Sequence, residues 1–333
     1  MEKNKIQISK EYSFENIKIT EVGPRDGLQN ESTHLSTEDK IEFINGLISA
    51  GLTNIEVTSF VSPKKIPQLQ DAEQVFKSVI QMHQLDVEKD LLKLYCLVPN
   101  LAGWNRVKDL GVKDIAIFTS TSNTFNLKNI GQNVHDSFDI MKPVVDSARE
   151  AGVRVRGYVS TVFGCPYEGK IDFAKVKDVI VRFIKLGVNH ISLGDTIGVG
   201  APGDVLKLMT YLNGELKSEY YELIFPKLGL HFHDTRGLAL ANILMGLNLG
   251  IKEFDSSAGG LGGCPYAAGA SGNVATEDVV KLFNSLNINS HSHPLNLIKI
   301  YEVSSKVLRK ISKNPPSKFL QTFHQPNFEP FNL

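Results

Sequence analysis

Along the chain, short runs rich in β-branched residues alternate with longer runs in which apolar side chains recur every three or four positions. The short runs predict eight strands: IKITEV from Ile17, NIEVTSF from Asn54, LKLYCLV from Leu92, DIAIFTS from Asp114, RVRGYVS from Arg154, HISLGD from His190, LGLHFHD from Leu228 and EFDSS from Glu253. The longer runs predict helices over Thr37 to Ala50, Gln68 to Met82, Leu101 to Leu110, Val134 to Ala151, Phe173 to Leu186, Pro202 to Leu216, Leu238 to Gly250 and Thr276 to Leu286. Helix starts carry capping signals, as in Ser36-Thr37-Glu38-Asp39, and Gly51, Gly111, Gly152, Gly187 and Gly250 stand at helix exits. Eight strand-helix units spaced about 34 residues apart match a (β/α)8 TIM barrel. A doubly wound open sheet is the alternative. It would gather chemically able residues near one switch point, whereas here they fall at the C-terminal ends of most strands. Residues 17–286 are thus expected to form the barrel, and 287–333 a ninth helix (Leu295 to Ile311) with a Pro-rich, aromatic tail.

Composition narrows the function. In 333 residues, 36 basic side chains balance 36 acidic ones, which argues against a field that would collect nucleic acid or coat an anionic membrane. The longest uncharged apolar stretch, Gly237 to Ile251, is short of the roughly 20 residues that span a bilayer. It also contains Asn242 and Asn248. The first twenty residues show neither a signal-peptide nor a transit-peptide pattern. Three cysteines make no disulfide scaffold, so a reduced, cytoplasmic setting is expected.

Three segments concentrate chemistry. The first strand runs into Glu21-Val22-Gly23-Pro24-Arg25-Asp26-Gly27-Leu28-Gln29-Asn30, where Arg25 and Asp26 can both face the barrel mouth. A carboxylate there suits a metal and a guanidinium suits an oxyanion, although a salt-bridged turn would use the same pair. Strand seven ends Leu230-His231-Phe232-His233-Asp234, and the i, i+2 spacing puts His231 and His233 on one strand face. Asp234 reads as a cap for the next helix. After strand eight comes GGLGGCPYAAGASGN, from Gly259 to Asn273. Its six glycines point to mobility or close backbone approach, and Cys264 within it is placed as a nucleophile, an acid or a redox group. Asn273 can cap a helix or offer its amide oxygen to a metal. Cys96 reads as core; Cys165 reads as structural in its turn, with a disulfide to Cys264 disfavoured by a reducing compartment. Glu56, Tyr158 and Asp195 add groups to the same rim, and together with Gln29 are candidates for binding substrate or orienting the others. The ligand set Asp26, His231, His233 and Asn273 mixes oxygen and nitrogen donors without thiolate. That favours Mg2+ or Mn2+, with zinc as the alternative.

The segments EVGPRDGLQNE, IEVTSFVSPK, RGYVS, GCPYEGK, SLGDTIGVG, HFHDT and GGLGGCPYAAGASGNVATED resemble the hydroxymethylglutaryl-CoA lyase family, over about Ile17 to Leu286. That family sits among metal-dependent barrel enzymes that include isopropylmalate and homocitrate synthases, and the Cys-bearing glycine loop is what points to the lyases. The resemblance implies a homodimer that cleaves a small acyl-CoA substrate, 3-hydroxy-3-methylglutaryl-CoA, to acetyl-CoA and acetoacetate, as in leucine degradation. It implies metal ligation by Asp26, His231, His233 and Asn273, stabilisation of the enolate oxygen by Arg25, and proton transfer by Cys264. His233 or Asp26 would serve as base. It makes Glu56, Tyr158 and Asp195 supporting positions. The sequence departs from the commoner family pattern at Arg236-Gly237-Leu238, near the expected site, and in the tail. A condensing synthase, a lyase for a longer or branched 3-hydroxyglutaryl-CoA, and a non-catalytic barrel are the competing readings.

Overall fold

A computed structural model describes residues 16–216, 222–263, 272–288 and 294–323. Eight parallel strands pair in chain order and close on themselves: β1 Lys18–Glu21, β2 Asn54–Ser59, β3 Lys93–Leu97, β4 Asp114–Ser120, β5 Arg154–Ser160, β6 His190–Asp195, β7 Leu228–Phe232 and β8 Glu253–Ser256. The seam joins β1 to β8, with Lys18 opposite Glu253 and Glu21 opposite Ser256. The fold is therefore the (β/α)8 barrel that the beat of the sequence predicts.

The crossovers form an outer ring of helices: α1 Thr37–Ser49, α2 Ala72–Met82, α3 Leu101–Val107, α4 Val134–Glu150, α5 Phe173–Leu186, α6 Pro202–Glu215, α7 Ala239–Asn248 and α8 Thr276–Ser285. Because helices cover one face of each strand and the lumen the other, all six residues of β2 are buried. Ser36 caps α1 by accepting the Asp39 N–H at 3.1 Å, and α5 ends on the left-handed Gly187, as its sequence signals require. The apolar layer between strands and helices carries Ile19, Ile55, Ile115, Val155, Ile191, Leu230 and Phe254 on the strand side, and Phe43, Phe76, Val144, Phe183 and Leu208 on the helix side. A ninth long helix, α9 Leu297–Lys310, lies against α1 and buries Ile300 and Leu308. Among the described residues no helix is long and apolar enough to cross a membrane.

Boundaries shift where local chemistry outweighs periodicity. Helix α2 starts at Ala72, because Pro67–Leu69 forms a separate tight turn first. Strand β7 stops at Phe232, two residues before the predicted end. A short helix, Asn123–Ile130, stands between β4 and α4 where the sequence predicts only loop.

Candidate active site

The turn after β1 is unusually wide. The Val22 carbonyl accepts N–H bonds from Asp26 at 2.7 Å and from Gly27 at 3.1 Å, so one extra residue is looped out before the chain continues. The buried carboxylate of Glu21 fixes this turn from below, accepting N–H groups of Gly23 (2.7 Å) and Ala258 (2.9 Å) and the Thr276 hydroxyl (2.6 Å). Its neighbour Glu277 accepts the Gly259 N–H at 2.9 Å. Burial raises both carboxyls, against these hydrogen bonds, to about 7 for Glu21 and about 8 for Glu277.

Held this way, Arg25 and Asp26 both line one cavity at the C-terminal end of the barrel. Arg25 Nε donates to Glu56 Oε2 at 2.6 Å and Nη1 to Asp26 Oδ1 at 2.6 Å; the Tyr158 hydroxyl donates to the same Glu56 oxygen at 3.1 Å. Gln29 Nε2 donates to Asp26 Oδ1 at 2.9 Å. The guanidinium also lies 5.3 Å from the centre of the Tyr158 ring. Arg25, Asp26, Gln29, Glu56 and Tyr158 thus form one connected group.

Opposite them stand the two histidines, ring centres 5.3 Å apart. His231 is on β7. His233 lies past the strand end, held by an isolated antiparallel bridge to Asn273 and by the Val274 N–H bond to Phe232 O at 3.0 Å. The two rings share one face, as the i, i+2 spacing predicts, although only His231 lies within the strand. One donor atom each from Asp26, His231 and His233 lies within 4.8 Å of the others. Asn273 joins them, its Nδ2 donating to Asp26 Oδ2 at 2.9 Å and to Leu261 O at 3.1 Å. This packing explains Gly262: its φ is +117°, and a Cβ there would fall 2.6 Å from Asn273 Nδ2. Asp234 caps α7 through the Ala239 N–H at 3.0 Å, as expected.

A divalent ion fits this donor set. Asn273 Oδ1, His233 Nδ1 and Glu56 Oε1 are buried without a hydrogen-bond partner among the described residues. Orphaned acceptors beside a carboxylate are what a hard cation requires. Burial pushes the Asp26 carboxyl up, but Arg25, His231 and His233 outweigh it and hold the group at about 2. Burial, with His231 alongside, drops His233 to about 4. His231 moves the other way: burial lowers it, and the hydrogen bond and charge of Asp255 raise it further.

Asp255 is a site residue that sequence reasoning missed. Its Oδ2 lies 3.3 Å from His231 Nδ1 and accepts the Ser192 hydroxyl at 2.6 Å, while Oδ1 pairs with the buried Arg156. A carboxylate behind a ligand-ready imidazole fixes its tautomer and orientation. The only advance signal was an acidic residue inside a strand next to two serines. Asp195, by contrast, is not brought to the donor set: its oxygens accept the Val199 (3.1 Å) and Gly200 (2.8 Å) N–H groups and so shape the turn after β6. Arg236 is exposed in the turn after β7 and is absent from the cavity wall. Cys264 lies outside the described residues; its neighbour Gly263 lines the cavity and accepts the Asn30 amide at 3.0 Å. Cys96 is buried in β3, and Cys165 is a buried free thiol.

The cavity measures about 730 Å³ and runs from Asp26, His231 and His233 past Phe118 and Met141 to the exposed Lys65 and Lys128. Its size suits a drug-sized or larger ligand.

Comparison with known proteins agrees with this geometry. Residues 16–307 match the HMGL-like family model. The chain is 44% identical over 305 residues to the mitochondrial hydroxymethylglutaryl-CoA lyase of Homo sapiens, covering 92% of this chain and 89% of that one. It is similar to the crystal structure of the Bacillus subtilis HMG-CoA lyase, with a TM-score of 0.84, 42% identity and coverage of 93% and 98%. It is also similar to an HMG-CoA lyase from A. baumannii solved with coenzyme A and 3-methylmalate, with a TM-score of 0.83, 34% identity and coverage of 96% and 99%.

Proposed function

The chain belongs to the HMGL-like family, and from that premise we propose that it cleaves 3-hydroxy-3-methylglutaryl-CoA to acetyl-CoA and acetoacetate with the aid of Mg2+ or Mn2+. The observation that carries the reading is the convergence of Asp26, His231 and His233 on one point of the cavity, with Asn273 hydrogen-bonded to Asp26 and Arg25 alongside. The surrounding charge supports a dication. At the cavity the carboxylates of Asp26 and Glu56 share the one guanidinium of Arg25.

Asp26, His231, His233 and Asn273 would hold the ion, which when bound polarises the tertiary hydroxyl and the free carboxylate of the substrate. Burial and His231 keep His233 neutral near pH 7 and so ready to ligate, and the hydroxyl proton would pass to Asp26, or to a water that His233 orients. As the hydroxyl oxygen becomes a ketone, the adjacent carbon-carbon bond opens and its electron pair moves into the thioester as an enolate. Arg25 faces that developing charge with the N–H groups that Glu56 and Asp26 leave free, and its own position is fixed by both. Tyr158 and Gln29 hold Glu56 and Asp26 in turn. Cys264 delivers the proton that turns the enolate carbon into the acetyl methyl group. We also propose a homodimer, on the family resemblance, and a reducing, cytoplasmic setting, on the sparing use of cysteine.

The test is incubation with 3-hydroxy-3-methylglutaryl-CoA and Mg2+ or Mn2+. Equal amounts of acetoacetate and acetyl-CoA are expected, and none after chelation. Release of free CoA from an acyl-CoA and a 2-ketoacid would instead indicate a condensing synthase. A Cys264→Ser variant should bind metal normally and lose most turnover; full turnover would remove the thiol from the mechanism.

A further inference from the structure

The short helix Asn123–Ile130 supplies Phe125, Lys128, Asn129 and Ile130 to the cavity wall. Eight residues make a helix of marginal intrinsic stability, so its placement depends on what it is tied to. Its cap is Ser122, whose Oγ accepts the Phe125 N–H at 3.1 Å. That hydroxyl is met by the Cys165 thiol at 3.1 Å, and Cys165 Sγ accepts the Tyr167 N–H at 3.4 Å. Glu168 Oε1 accepts the Thr124 N–H at 2.8 Å, and Oε2 accepts the Lys175 ammonium, on α5, at 3.2 Å. Burial pushes the Glu168 carboxyl up, but these bonds and the Ser122 and Thr124 hydroxyls outweigh it and hold the group at about 2. Two residues of the hairpin that pairs Gly164–Cys165 with Gly169–Lys170, Cys165 and Glu168, therefore grip the N-terminal end of this helix. The exposed ring of Tyr167 completes the arrangement, with the Lys128 ammonium 4.8 Å from its centre.

We propose that Tyr167 and Glu168 are positioning residues: the 164–170 hairpin sets the Asn123–Ile130 helix and holds Lys128 at the cavity mouth, where it meets an anionic part of the acyl-CoA. The inference rests on the acyl-CoA reading given above. An exposed lysine samples many rotamers, and a ring face that narrows them lowers the cost of ordering it against an anion. Glu168 acts one step earlier, by fixing the helix from which Lys128 projects. Cys165 then has a defined place as a buried thiol that ties the hairpin to the helix cap.

The experiment titrates free coenzyme A into the metal-loaded full-length protein by calorimetry and measures kcat and KM with 3-hydroxy-3-methylglutaryl-CoA. Tyr167→Leu should raise both the CoA Kd and KM about fivefold, with kcat within about twofold. Tyr167→Phe, which keeps the ring, should behave as the unaltered protein. Glu168→Gln should raise KM in the same direction. Lys128→Ala should reproduce the Tyr167→Leu effect, and adding Tyr167→Leu to it should change nothing further. The proposal is overturned by an unchanged CoA Kd in Tyr167→Leu, by a Phe variant as weak as the Leu variant, or by full additivity with Lys128→Ala. If the unaltered protein neither binds CoA nor cleaves 3-hydroxy-3-methylglutaryl-CoA, the functional reading itself fails and takes this inference with it. Normal cleavage with indifferent variants rejects the inference alone.

Discussion

At the C-terminal mouth of the barrel, Arg25, Asp26, Glu56, His231, His233 and Asn273 form one group of buried charge; nearer the N-terminal ends of the strands, Arg156, Glu253 and Asp255 form another. The Tyr158 ring lies between them, 5.3 Å from the Arg25 guanidinium and 5.2 Å from that of Arg156. In the lower group Arg156 pairs with both carboxylates, Glu253 also receives the Thr20 hydroxyl at 2.9 Å, and Asp255 that of Ser192. Among the described residues its partnerless atoms are Nε of Arg156 and Nδ1 of His190, while every carboxylate oxygen is met. In the upper group the partnerless atoms include acceptor oxygens of Glu56 and Asn273. Paired buried charge makes a scaffold; unmet acceptors make a binding site.

The sharpest way to break this contrast is to remove a donor from the upper group. Asp26→Ala or His233→Ala should abolish measurable dication binding and lower turnover by about a thousandfold, while leaving folding intact. Calorimetric titration with Mn2+ together with the acetoacetate assay checks both, and normal binding would show that the upper group is a scaffold too. Arg156→Met tests the lower group. It strands two buried carboxylates and should cost about 3–5 kcal/mol of stability by urea denaturation. If its main effect were on metal affinity, the division into two roles would be wrong. Asp255 belongs to both groups. Asp255→Asn should weaken dication binding by about 10–100-fold, through loss of the partner that orients His231.

The mildest probe is pH. His231 carries a folded pKa raised above 6.5, whereas His233 sits at about 4 and Asp26 at about 2, so His231 is the first of the three to change charge on acidification. Dication affinity should be full above the His231 pKa and fall by up to about tenfold per pH unit below it. For the metal-free protein the sign reverses. A raised histidine stabilises below its unfolded value and loses that contribution as pH rises through the folded one. Mn2+ titrations between pH 8 and pH 5 check the first statement, and a flat profile would contradict it.

The strands were legible because a parallel barrel buries them on both sides, which leaves β-branched runs between glycine-closed helices. Arg25, Asp26, His231, His233 and Asn273 were legible by type and position, although the backbone bridge between His233 and Asn273 was not, since long-range pairing leaves no local trace. Glu56 was noted within its strand, but Arg156 and Asp255 escaped notice, because which in-strand charges meet one another across the lumen depends on a register that a single sequence does not announce. The helix Asn123–Ile130 was missed because NTFNLKNI is short and largely polar, and its order comes from a hairpin some forty positions away.

The seam of the barrel gives the molecule a sense of time. Glu21, on the first strand, completes its hydrogen bonds only with Ala258 and with Thr276, the latter 255 positions later in the chain. A nascent chain that has released β1 through β7 therefore holds Arg25 and Asp26 on a turn whose anchor has not yet been synthesised. Loop closure over such a distance comes late and slowly. The turn that carries Arg25 and Asp26, first of the barrel's turns to be synthesised, is among the last to take its shape, so an unfinished barrel cannot display a finished site.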